Sequence, residues 1–321
     1  MIGAWFYFLA FNLRRQLRAR LMVWISLALF GVVALVTHLN TRYDRWNLAH
    51  WRMTVRLPHR DPRAIMISSR VTNEPDPQRM TAAEMLIAFE TLGQLPLRAD
   101  GFAGPTAFAA SLRAVIFEAG PRLFSSAIIF SLLTSLLLPI WTLTFGTESL
   151  GRAIENRTLT WLLLRPLPRP GIYIAAYLSA LPWCLVLTLG GYFLFCALGG
   201  PSGQRVLSLY WPPLLLGVFA FTAFYQLLSV VFRRSGILGL LYAFFFETIA
   251  SNLPGQQKRL SISYYVRCWM HERAQDAGLN VDLSGIRPPV SGTTACVVLV
   301  IATLLLLIAG VVVFSRKEYA N

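Results

Sequence analysis

Charge is scarce in this chain. Of its 321 residues, 14% are Asp, Glu, Lys or Arg, against about 25% in an average soluble domain. Acids are scarcer than bases, 15 against 29, and only two of the bases are lysine. With 55% apolar residues, a soluble fold of this size has too little polar side chain to cover its surface, and a disordered chain carries far less apolar mass. The apolar residues come in long runs rather than in alternation, which excludes an outer-membrane barrel. Cysteine is sparse: Cys184, Cys196, Cys268 and Cys296 have no close paired spacing, so neither a disulfide framework nor a zinc site is readable. His38, His50, His59 and His271 fit no metal-ligand spacing and read as scattered residues toward the outer side. The chain also lacks a Gly-x-x-x-x-Gly-Lys-Ser/Thr loop to cradle phosphates. The net charge of +14 is spread between charge-free tracts instead of being gathered on a soluble domain. That argues against nucleic acid and for anionic lipid headgroups as the counter-charge.

What remains is an all-α polytopic membrane protein. A helix crossing a ~30 Å hydrocarbon core needs about 20 apolar residues. Uncharged tracts place spans at 21–41, 123–147, 171–198, 208–232 and 293–315. A further span at 235–252 is interrupted only by Glu247. Six transmembrane helices follow, with a tail at 316–321.

Basic flanks orient them. With the N-terminus in the cytoplasm, the inner segments hold 12 basic and 3 acidic residues, and the short outer loop holds only Arg205. The long outer segments, 42–122 with 11 basic and 8 acidic residues and 253–292 with 5 and 3, translocate regardless of charge. Both termini are expected in the cytoplasm. No cleaved signal peptide is expected, because the first apolar tract is too long and lies behind twenty residues with four arginines.

The 42–122 segment is large enough for an extracytoplasmic loop subdomain between spans 1 and 2. Trp51 to Leu57 alternates at a strand period and could pair with Ala64 to Val71 as a hairpin. Thr81 to Glu84 is a capping box ahead of a short amphipathic helix. Pro105 to Glu118 reads as another helix, ended by Gly120-Pro121. Trp141, Tyr210 and Trp211 suit interfacial belts. Pro182 is expected to kink span 3.

Residues 1–20 have an apolar start and a basic end, with Arg14, Arg15 and Arg18 on one helical face. They read as an interfacial helix on the inner leaflet, or as a charged flank that only sets topology. The 148–170 loop opens as a short helix of mixed charge containing Glu148, Arg152, Glu155 and Arg157. A seven-residue apolar stretch follows, stopped by Pro166, Pro168 and Pro170. Tied to two spans, such a helix is either a lever or an ordinary amphipathic loop helix.

Here the sequence resembles the permease subunits of ABC-2 type transporters. Glu155, Thr158-Leu159, Leu162-Leu163-Leu164 and Pro166-Leu-Pro168-Arg169 match the family's pattern between spans two and three, and Phe314 to Tyr319 resembles its basic tail. The motif covers about 25 residues; the six-span layout covers the chain. The long first outer loop departs from compact drug-type members and is nearer in layout to permeases of the copper-enzyme-maturation kind. The resemblance implies a half-transporter. Two permeases, a second copy or a related chain, pair in the membrane. Cytoplasmic ABC ATPase subunits bind ATP and Mg, leaving no cofactor in this chain. Glu148, Arg152, Glu155 and Arg157 would belong to the coupling helix docked on the ATPase, and 1–20 would be the connecting helix. The outer loop could meet a periplasmic partner. The implied location is the cytoplasmic membrane.

Glu247 is the only Asp, Glu, Lys or Arg inside an expected span. It lies 13 residues past Arg234, roughly 20 Å in at 1.5 Å per residue. A charge at that depth costs about 2.5–3.5 kcal/mol unless paired or wetted. It could line a pathway, sit in a re-entrant turn, or bond a neighbouring helix. Gln226 is a second pathway candidate, equally explained by an interhelical hydrogen bond. The alternatives to a permease are a membrane-embedded enzyme or an ion-coupled secondary transporter using Glu247. The first needs several converging reactive groups, and the second commonly shows an internal repeat, which this sequence lacks.

Overall fold

The computed structural model describes residues 20–42, 120–155, 168–232, 234–245, 259, 261–279, 281 and 290–317. Several expectations lie outside these residues: the 1–20 helix with Arg14, Arg15 and Arg18, the strands and helices of the 42–122 subdomain before Gly120, Arg157 and the apolar stretch behind it, and Glu247. Among the described residues every regular element is helical.

The elements run in order as α1 (Arg20–Arg42), a π-helical segment (Ser125–Leu137) continuing directly into α2 (Leu138–Glu155), α3 (Arg169–Leu198), α4 (Gly200–Val206), α5 (Trp211–Val231), α6 (Ser235–Tyr242), α7 (Ile262–Asp276) and α8 (Gly292–Arg316). Among the described residues four helices are long and apolar enough to cross a membrane: Gly120–Glu148, Arg169–Leu198, Trp211–Val231 and Gly292–Arg316. At 21 to 30 residues each, they reach about 31–45 Å, more than the ~30 Å hydrocarbon core. Two shorter apolar pieces, Ser26–Arg42 and Ser235–Phe245, accompany them.

α5 sits at the centre, packed on α2, α3, α6, α7 and α8, while α1 lies outside against α3 and the π segment. The core runs between Leu133, Leu137, Trp141, Tyr192, Phe195 and Phe221, all fully buried. Trp141 is therefore a core residue and not part of an interfacial belt: its ring meets Phe30 at 6.0 Å between centroids. Tyr210 is also buried, and its hydroxyl donates to Ser125 Oγ at 3.2 Å. Trp211 stays exposed. The middle stretches of the outward faces of α1 and α8 are apolar, as Leu35 and Val32, and Leu304, Leu305 and Ile308, show. Such faces are ordinary against lipid tails and untenable against water.

At the end of the bundle where α3 meets α4, Tyr192 OH donates to the Val206 carbonyl and accepts the Tyr210 N–H at 3.3 Å. The chain reverses there through Gly200, whose φ of 58° favours glycine. α7 lies within the expected outer segment 253–292. Ser261 caps it by accepting the Tyr264 N–H at 3.2 Å. The helix packs into the bundle against α5, α8 and the π segment.

Candidate functional site: the basic end of the bundle

The opposite end gathers four helix termini. α2 arrives C-terminal end first and continues past its apolar portion to Glu155. Leu150 and Ile154, four apart and hence on one face, join Ile172, Tyr173, Ala175 and Ala176 of α3, Val230 of α5 and Phe314 of α8 in one apolar cluster. Gly310 makes room for that cluster: an added Cβ would collide with the Tyr173 hydroxyl oxygen. Gly151 is confined less tightly, its missing Cβ lying 3.1 Å from Ser235 Oγ and 3.5 Å from Ser229 Cβ.

Hydrogen bonds cross the same junction. Gln226 Nε2 donates to the Tyr173 carbonyl at 2.9 Å, joining α5 to α3. Ser229 Oγ donates to the Gln226 carbonyl at 2.7 Å. Lys317 Nζ donates to the carbonyls of Val230 and Val231 at 2.8 and 3.0 Å, and Arg169 Nη1 to that of Ser315 at 2.9 Å. Cations there satisfy terminal carbonyls that no helical N–H reaches and face the negative ends of the α5 and α8 dipoles.

The expected site residues fall as follows. Glu148 is buried on α2 at 7% exposure. Arg152 and Glu155 lie on the same helix, their side chains outside the described set. Gln226 is fully buried. It makes the interhelical bond that was one of its two readings; its Oε1 has no hydrogen-bond partner among the described residues.

Sequence reasoning missed a polar junction on α7. Arg267 is buried and its guanidinium donates to Ser135 Oγ. Ser263 Oγ donates to the Thr134 carbonyl at 3.3 Å, and Thr134 Oγ1 lies 3.7 Å from Met270 Sδ. Residues 263, 267 and 270 thus form one helical face laid on a single turn of the π segment. That segment uses its hydroxyls on carbonyls five residues back: Ser131 to Ser126, Thr134 to Ile129 and Ser135 to Phe130, each at 2.8 Å. The available signal was Ile262, Val266, Met270 and Ala274 at a spacing of four behind a capping serine. Further along α7, the Glu272 carboxylate accepts the Gly292 N–H and so places negative charge at the start of α8. Burial lowers the pKa of His271 from its ordinary 6.5 and pushes that of Tyr264 up to about 12. Among the described residues no group of His, Cys, Asp and Glu could hold a metal ion.

Long apolar helices around a buried core, with one basic and tightly tied end, define a multi-pass helical membrane protein. Its family follows from comparison: the chain belongs to the ABC-2 transporters, because a family model described as "ABC-2 family transporter protein" matches residues 14–319. No curated protein and no solved structure matches the chain. Membership makes this a permease-type membrane subunit rather than a catalyst in its own right, and it implies an ABC ATPase as partner.

Proposed function

We propose that the chain couples ATP hydrolysis by a separate cytoplasmic ATPase to substrate export or force transmission across the cytoplasmic membrane. In this reading the basic end of the bundle is the cytoplasmic end, and a second copy or a related permease completes the pathway. ATP and Mg belong to the partner.

The observation that supports it is the seating of α2. Its end carries Leu150 and Ile154 into a cluster with the ends of α3, α5 and α8. In this reading a push on the end of α2, which carries Glu148, Arg152 and Glu155 and leads on to Arg157 in the sequence, would reach α3, α5 and α8 through one close-packed junction, and close packing transmits displacement instead of absorbing it. Arg14, Arg15 and Arg18 would lie beside this junction at the inner leaflet. Glu247 is left as a pathway candidate. Gln226 is better read as a structural tie, since its amide already bonds the α3 backbone.

Charge reversal tests the assignment. Glu155→Arg with Arg157→Glu should lower ATPase co-purification about tenfold, the loss expected for roughly 1.4 kcal/mol of interface energy. Transport should fall with it while the chain still folds. Unchanged assembly and turnover in the double variant would refute the coupling role.

A further inference from the structure

We infer that the basic end of the bundle holds an anionic phospholipid at a defined site formed by Arg169, Arg234 and Arg316. Three hydrogen bonds hold the chain segments that carry these side chains together. Arg169 bonds the carbonyl of Ser315, the residue before Arg316. Lys317, the residue after it, bonds the carbonyls of Val230 and Val231, three to four residues before Arg234. Arg169, Arg234 and Arg316 are all exposed, and no carboxylate pairs with them among the described residues. Glu148, the acid at this end whose side chain is described, is buried.

The apolar surface stops where these cations begin. Ile308 and Val312 are exposed on α8 one and two turns before Arg316 and on the same helical face. Val231 and Phe232 are exposed just before Arg234. An acyl chain has a surface to lie on along α8, and a phosphate has three guanidiniums near the depth where hydrocarbon ends. Arginine suits this ligand because its planar fork donates in pairs to phosphate oxygens. Lys317 and one donor of Arg169 already neutralise helix-terminal carbonyls, so the dipole ends do not repel the headgroup. The site is distinct from the α2 surface assigned to the ATPase.

Native mass spectrometry of the full chain in neutral detergent, with phosphatidylglycerol or phosphatidylcholine added, reads the site without reference to membrane orientation or ATPase. The wild-type chain should retain phosphatidylglycerol at least fivefold over phosphatidylcholine. Arg234→Gln with Arg316→Gln, which leaves the Arg169–Ser315 bond in place, should abolish the preference at an unchanged Tm, and Arg→Lys at both positions, which keeps the charge and loses the paired donors, should keep part of it. An undiminished preference in the Gln variant overturns the site. So does displacement of the lipid by equimolar inorganic phosphate, which would mark a free-anion site.

Discussion

A glycine and a histidine carry the sharpest consequences at the scale of single residues. Gly310 faces Tyr173 so closely that a methyl group must displace a fully buried ring, whereas nothing lies within 4 Å of a Cβ on Gly190. Both are helical glycines, so backbone propensity is common to both. Gly310→Ala should cost about 1–3 kcal/mol of stability from overpacking, and Gly190→Ala should be neutral or slightly stabilising. Thermal unfolding of the two variants in detergent checks this, and equal Tm values would contradict the junction. For His271 the sign follows from burial, which lowers its pKa. The unfolded chain then binds the proton more readily. Its contribution is complete above the ordinary histidine value of 6.5 and is lost as pH falls below it. Unfolding temperature should decline between pH 7 and 5, less steeply in His271→Gln; identical slopes would place the acid sensitivity elsewhere. Little of this was legible in the sequence. Trp141 and Tyr210 have interfacial character in isolation, and only the packing of Phe30 and the position of Ser125 show that both are interior. Gln226 could be assigned only once the Tyr173 carbonyl lay beside it.

At the scale of elements, legibility depended on length and charge. α3, α5 and α8 follow uncharged tracts, and the lipid environment leaves such tracts no alternative to helix. Their structural bounds, Arg169–Leu198, Trp211–Val231 and Gly292–Arg316, lie near the tracts at 171–198, 208–232 and 293–315. α7 is a different kind of helix. Its 15 residues include Arg267, Glu272, Arg273 and Asp276, so a search for uncharged runs passes over it and only its four-residue periodicity marks it. The π-helical hydrogen bonding opposite it leaves no compositional trace, because serines and threonines are equally at home in α-helical spans. The contact between these two elements predicts a local weakness. Ser135→Ala removes an acceptor from a buried guanidinium, and a buried donor left short costs about 1–3 kcal/mol. Amide exchange across Ile262–Asp276 should accelerate in that variant, with α3 unchanged. A uniform increase across both helices would instead indicate general destabilisation.

For the whole molecule the question is whether the end of α2 moves relative to α5 or with it. The helix is seated there by Leu150 and Ile154 on one side and by the confined Gly151 on the other. A Cβ placed on Gly151 would lie 3.5 Å from that of Ser229, within the roughly 3.5–4.5 Å that a disulfide spans. Gly151→Cys with Ser229→Cys therefore offers a reversible lock, provided Ser235 Oγ rotates away from its 3.1 Å approach. Three of the native cysteines are buried and the fourth, Cys296, is half-buried on α8; replacing it with serine leaves the new pair as the reactive one. If energy from the ATPase enters by sliding or tilting α2 against α5, oxidation should stop transport while leaving nucleotide binding by the partner intact, and reduction should restore it. If oxidised and reduced complexes turn over alike, α2 and α5 travel as one body. The lever would then lie at α3 and α8, where Tyr173, Gly310 and Phe314 form the remaining contacts of the cluster. The two outcomes separate a hinge at Gly151, between α2 and α5, from one at the α3–α8 contact.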